Sequence, residues 1–229
     1  MQSSIRGISS MATRQVLAEL TAAFERQGGG PVAIESVGGV DAAKRVQGGE
    51  PFDVVFLASN SIDALIAGGA LAAGSRVDLV RSGVAIAVRA GAPRPDVSTE
   101  AAVRQAVLDA PNLSYSTGPS GVHLARLFET WGIAERIKDR IVQAPPGVPV
   151  GALVARGDVA LGFQQLSELM HLDGIEVLGP LPPAIQILTT FSAGIGINSP
   201  RADAVRRLLD FMRSPAADET KRRHGMEPA

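Results

Sequence analysis

Residues 52–57 read Phe-Asp-Val-Val-Phe-Leu, a continuous apolar run broken by one carboxylate and too short for a helix. A helical pattern follows at once over 61–68, with Ile62, Leu65 and Ile66 as its apolar positions. A strand that is apolar at successive positions is buried on both faces, the environment of a parallel sheet covered by helices. The pairing recurs along the chain. Residues 32–37 form a short β-branched stretch closed by Gly38-Gly39, with a helical segment over 41–47 behind it. Met11, Val16, Leu17, Leu20 and Phe24 share one helical face, so a helix is predicted from about 11 to 27 with Ser10 as its N-cap. Residues 79–89 read as a long strand. After the punctuation of residues 91–95 the alternation restarts as helix 99–109, strand 112–116, helix 120–131, strand 139–143, helix 149–156, strand 158–162 and helix 164–171. Strands over 176–178 and 184–197 follow, then an amphipathic helix over 201–214 carrying Val205, Leu208, Leu209 and Met212. The predicted class is α/β, two such units in series.

Composition narrows what such a chain does. Its 229 residues suffice for one large domain or two lobes of roughly 100 residues each. With 45% apolar residues it is globular, and 22 basic against 23 acidic side chains give no basic surface for nucleic acid. The absence of Cys removes thiol nucleophiles and Cys-ligated metals. The longest nonpolar run, residues 64–74, is too short to span a membrane. Residues 1–6 hold no apolar leader core, as expected of a cytoplasmic full-length chain or of one whose leader has been removed.

In open α/β sheets, ligands bind beyond the carboxyl ends of strands, where loops enter helix N-termini. Four such turns are built from small or hydroxylated residues: Gly7-Ile8-Ser9-Ser10, Gly38-Gly39-Val40-Asp41, Ala58-Ser59-Asn60-Ser61 and Ser116-Thr117-Gly118-Pro119-Ser120-Gly121. Each alone is equally an ordinary capping sequence; their recurrence in both halves points to an anion held by hydroxyls, backbone amides and helix dipoles. The P-loop and dinucleotide fingerprints are absent. His123, His171 and His224 are scattered, without metal-ligand spacing. Lys44 and Arg45, taken as the first turn of the helix after Gly38-Gly39, and Arg81, near the predicted lobe boundary, are candidate partners for ligand carboxylates. His123, near the start of the helix after Gly118, is a candidate general acid or base.

Several stretches resemble the type II periplasmic solute-binding proteins, specifically the molybdate-binding branch. They are Ile8-Ser9-Ser10-Met11 with the helix over 18–25, Ser36-Val37-Gly38-Gly39, residues 53–60 and residues 154–162. The resemblance implies a two-lobed fold, each lobe a mostly parallel sheet flanked by helices, with the ligand cleft between lobes. It divides the chain into 1–80 plus about 180–229 as one lobe and about 81–179 as the other, joined by hinge strands. Where the molybdate binders carry a Ser after the second glycine turn, this chain has Val40 and Asp41, and where a Tyr is usual after the last strand of the second lobe it has Gln164-Gln165.

With the nearby basic residues, these departures point to an organic di- or tricarboxylate. The candidate ligand set is Ser9, Ser10, Gly39, Val40, Asp41, Lys44, Ser59, Asn60, Arg81, Ser116, Thr117, Ser120, Gly121, Val148 and Gln164, with no metal and no cofactor. Two functional classes fit. One is a solute-binding protein of an ABC-type uptake system, with a small anionic ligand and a membrane component as partners. The other follows from the aconitate isomerase that the same branch includes: a cofactor-free allylic proton shift between trans- and cis-aconitate, with His123 as the proton-transfer group. A one-component sensor would need a DNA-binding helix-turn-helix, which neither end carries.

Overall fold

The structure, a computed structural model, describes residues 4–145 and 148–229. The chain divides into two compact units, Met1–Arg81 with Thr190–Ala229, and Ser82–Thr189. The first opens with β1 (Ile5–Ser10), which passes through a single 3-10 turn into α1 (Arg14–Arg26). Then come β2 (Val32–Val37), α2 (Gly39–Gln47), β3 (Val54–Ala58) and α3 (Ser59–Ala67). β4 (Val77–Arg89) carries the chain into the second unit. That unit holds α4 (Glu100–Asp109), β5 (Leu113–Tyr115), α5 (Pro119–Thr130), α6 (Ala134–Ile137), α7 (Val150–Arg156), β6 (Leu161–Gln165), α8 (Leu166–Leu169) and β7 (Ile175–Pro180). β8 (Leu188–Ile195) returns the chain to the first unit, where α9 (Ala202–Arg213), α10 (Asp218–Arg223) and β9 (Met226–Pro228) follow.

In the first unit β1 lies between β2 and β3, parallel to both, with Ser10 level with Val37 and Ser9 with Phe56. β8 adds an antiparallel strand beside β3. The apolar run of β3 is buried on both faces: Val54 and Phe56 pack with α1 and α9, while Val55 and Leu57 pack with α2 and α3. Each such side chain contributes about 1.5–3 kcal/mol over its exposed state. Asp53, the carboxylate that interrupts the run, is buried and satisfied by the Arg6 N–H at 2.8 Å, Ser199 Oγ at 2.7 Å and the Arg201 guanidinium at 3.3 Å. A Cβ on Gly7 would lie 3.0 Å from Val54 Cγ1 and 3.2 Å from Ile34 Cγ1, so glycine suits the middle of β1.

In the second unit β5 and β6 are parallel, and β4 runs antiparallel to both β6 and β7. Val84, Ile86 and Phe163 face α4 and α5; Ala85 and Ala87 face α8. Gly162 brings β6 against Val150 and Val154 of α7, where a Cβ would lie 2.5 Å from Val154 Cγ2.

Five expectations change. Residues 7–10 are the end of β1, not a turn. Residues 139–143 form no strand: the 3-10 turn Lys138–Arg140 follows α6 directly, and only an isolated bridge from Ile141 to Leu113 of β5 remains of the expected pairing. β6 begins at Leu161, because Gly157 ends α7 in the left-handed region and the Asn112 side chain holds the turn through Asp158 O and Ala160 N. Gln164 and Gln165 therefore lie within β6, and the helix expected over 164–171 shrinks to the single turn α8. β8 starts only after the 3-10 turn Pro183–Ile185. Among the described residues no helix is long and apolar enough to cross a membrane.

Candidate functional site

Because β1, β2 and β3 are parallel neighbours, the N-termini of the three following helical segments lie at the same end of the first unit's sheet. Ser10 ends β1 at the N-cap position but makes no side-chain cap bond. Its hydroxyl is buried, the residue being 7% exposed, and has no hydrogen-bond partner. A buried hydroxyl left unpaired costs on the order of 1–3 kcal/mol, so its survival there calls for a ligand or water as partner. Gly39, the first residue of α2, is a neighbour of Ser10: a Cβ on Gly39 would lie 3.5 Å from Ser10 Cβ, in ordinary contact. The caps of α2 and α3 are Gly38 and Ala58, neither of which offers a side-chain acceptor. Their first-turn N–H groups are thus left for an external acceptor. Val40 and Asp41 are exposed on the first turn of α2, Ser59 is half-buried at the start of α3, and Asn60 is exposed.

Other expected contributors are paired within the fold or placed away from the helix N-terminus. Ser9 is fully buried and its hydroxyl pairs with Ser36 Oγ at 2.8 Å. Lys44 and Arg45 lie on the last turn of α2, not the first. Arg45 forks onto Glu35 at 2.7 and 2.9 Å and onto Glu50 at 2.6 Å, and its guanidinium lies 5.4 Å from the centroid of the Phe52 ring; Lys44 is exposed. Arg81 donates to the Pro228 carbonyl at 3.0 Å. His224 pairs with Glu19 at 2.9 Å.

In the second unit β5 runs into α5 through Ser116, Thr117 and Gly118. Ser116 Oγ and Ser120 Oγ are 3.1 Å apart, tying the turn to the first turn of α5. Gly121 packs so hard on this turn that a Cβ would fall 1.6 Å from the Ser116 carbonyl oxygen. Gly118 caps α5 without a side-chain bond, Thr117 and His123 are exposed, and Val148 is half-buried against the apolar cluster of α7. Level with this turn, β6 ends in two buried glutamines. Gln164 accepts from the Gly151 N–H at 3.0 Å and donates to Glu168 Oε1 at 2.8 Å. Burial pushes the Glu168 carboxyl up to about 7, against the Gln164 hydrogen bond, which lowers it. Gln165 donates to Thr189 Oγ1 at 2.9 Å while its own Oε1 stays buried and unpaired. The sequence pattern missed Gln165 and Glu168; the signal was a polar pair closing an otherwise apolar strand.

Among the described residues no group of three or more His, Asp or Glu comes together as a metal ion would need. The first unit supplies hydroxyl and N–H donors suited to holding an anion; the second, by itself, supplies hydroxyl and N–H donors and one desolvated carboxyl able to exchange a proton.

Comparison with known proteins agrees with this architecture. A family model described as a bacterial extracellular solute-binding protein matches residues 5–227. An aconitate isomerase from Pseudomonas sp is 37% identical over 229 residues, covering 96% of this chain and 86% of its own. The periplasmic molybdate-binding protein of Azotobacter vinelandii superposes with a TM-score of 0.81 at 20% identity, over 97% of this chain and 98% of that one. A sulfate-binding protein from Mycobacterium tuberculosis H37Rv gives 0.79 at 14% identity, over 100% and 88%. At such identities the two structures show the shared periplasmic-binding-protein fold alone. From the family match and the full-length relative together, the chain belongs to the bacterial extracellular solute-binding protein family.

Proposed function

We propose that this protein binds a small di- or tricarboxylate and isomerises it, in the manner of an aconitate isomerase, by a cofactor-free allylic proton shift. The observation that carries anion binding is the buried Ser10 hydroxyl without an internal partner, beside the uncapped first turn of α2. A carboxylate accepts from hydroxyl and N–H donors of this kind, and each charge-assisted bond of that type contributes about 1.5–3 kcal/mol. The step from binding to turnover is supported by the full-length relationship to an aconitate isomerase.

The chemistry is balanced within the substrate. A base removes a proton from the methylene carbon α to a carboxylate. The electron pair spreads over the allyl system and onto carboxylate oxygens, where hydrogen-bond donors stabilise it, and a proton returns at the former vinyl carbon. His123, exposed on α5, is the group assigned to return the proton.

The family match favours a second reading, in which the protein is a receptor that delivers an unaltered anion to an ABC-type membrane component from the periplasm. A proton NMR time course in D2O with trans-aconitate separates the two. Formation of cis-aconitate establishes the isomerase; binding of trans-aconitate with its spectrum unchanged establishes the receptor, with citrate and tricarballylate as controls that report binding alone.

A further inference from the structure

The Gln164–Glu168 pair has a built-in direction. The Gly151 backbone N–H can only donate, so it fixes Gln164 Oε1 as the acceptor and turns the amide NH2 toward Glu168. Glu168 Oε1 therefore receives a hydrogen bond whatever its protonation state, which leaves Oε2 as the oxygen that takes up or releases a proton. Gln164 itself is buried in β6, so the carboxyl is held by a rigid element. Glu168 is half-buried as a residue, and Gln164 behind it is buried.

Its place in the fold is equally specific. The register that sets Tyr115 beside Phe163 puts the Ser116 turn, one residue on, level with Gln164. Glu168 thus stands at the carboxyl end of the parallel pair β5 and β6, the end at which α/β sheets receive ligands.

We propose that Glu168 is the base that removes the α-proton in the allylic shift, through Oε2, with Gln164 as its positioning residue. The inference rests on the isomerase reading. After abstraction Glu168 is a neutral carboxylic acid, and the proton count is restored when a proton is delivered at the far carbon.

Burial raises the Glu168 carboxyl to about 7, which suits a group that must be ionised to start the cycle and neutral halfway through it. The charges on elements packed against it are committed elsewhere. β6 carries none; on β7 Glu176 pairs with Arg94; on α7 Arg156 pairs with Asp158 at 2.8 Å. β4, whose Ala85 and Ala87 pack on α8, ends in Arg89 beside Gly157, and His171 and Asp173 follow α8 in the chain.

The experiment measures aconitate turnover and tricarballylate binding for wild type, Glu168→Gln and Gln164→Leu. Glu168→Gln is expected to lower kcat about 10²- to 10⁴-fold while tricarballylate, which has no double bond to shift, binds within a few-fold of wild type. Gln164→Leu removes the hydrogen bond that holds the carboxyl down, so the acidic limb of its pH–rate profile moves to higher pH. Absence of wild-type turnover overturns the isomerase reading and the role of Glu168 together. Wild-type turnover with full activity in Glu168→Gln, or an unmoved limb in an active Gln164→Leu, overturns the role of Glu168 alone.

Discussion

Ser10 and Gly39 belong to neighbouring strand-to-helix junctions, and a Cβ on Gly39 would sit 3.5 Å from that of Ser10. This is ordinary van der Waals distance, and the next atom that Cβ would meet is Leu57 Cδ2 at 4.0 Å, so Gly39→Ala fits the fold and leaves the Ser10 hydroxyl uncrowded. Ser10→Ala should cost ligand binding about 1–3 kcal/mol, or roughly 5- to 150-fold in Kd. Its melting temperature should hold or rise, because an unpaired buried hydroxyl is removed. Gly39→Ala, whose methyl meets only Ser10 Cβ and Leu57, should change both affinity and melting little. Calorimetric titration with tricarballylate beside thermal melts checks both; an unchanged Kd in Ser10→Ala removes this hydroxyl from the site.

Arg45 illustrates a charge that is structural. Its hydrogen bonds hold the Glu35 and Glu50 carboxyls below their usual range. A carboxylate with a depressed folded pKa contributes stability that is present above its unfolded pKa and lost as pH falls through the folded one. Arg45→Ala should therefore melt slightly below wild type at neutral pH, with the gap closing in acid and in high salt, while tricarballylate affinity stays unchanged. A Kd raised tenfold or more by this substitution would return Arg45 to the ligand.

The α/β alternation was legible because a strand buried on both faces carries a distinctive pattern, as Val54 to Leu57 do by packing alternately on two helical layers. The junctions after β2, β3 and β5 were legible for the same reason, whereas residues 7–10 belong to β1 itself and β6 runs on to Gln165. What the pattern could not assign was the use of each polar group. Ser9 and Ser10 are adjacent and both buried, yet one is satisfied by Ser36, on the neighbouring strand 27 positions along the chain, and the other by nothing internal. Gln164 looked like the start of a helix because a glutamine inside a strand is expensive unless paired, and its partners, Gly151 and Glu168, come from separate elements. Arg81 lies next to the boundary between the units, but its partner is the backbone of β9 at the far end of the chain.

Gly121 offers a test of the second unit's turn. With a Cβ falling 1.6 Å from the Ser116 carbonyl oxygen, Gly121→Ala must push α5 off the turn. The cost should exceed the about 1–3 kcal/mol typical of overpacking, since the obstacle is backbone. Gly118→Ala, whose nearest neighbour, Ser116 Oγ, would be at 3.9 Å, should fold normally. Urea melts of the two variants decide it: equal stability would mean that α5 does not close on Ser116 as described.

Glu168 should leave a signature in stability as well as in turnover. Its carboxyl rises from the ordinary 4.5 to about 7 on folding, chiefly through burial. Between those values the native state binds more protons than the unfolded one, so stability falls as pH rises through that window and levels off above about 7. Glu168→Gln removes the ionisation and keeps the shape. Relative to wild type its melting temperature should therefore climb from pH 5 to pH 8, the variant being the more stable protein at pH 8 and the less active one. A melting difference that does not vary with pH would mean that Glu168 is solvated like an ordinary surface carboxylate, and would remove the desolvation that suits it to act as a base near neutral pH.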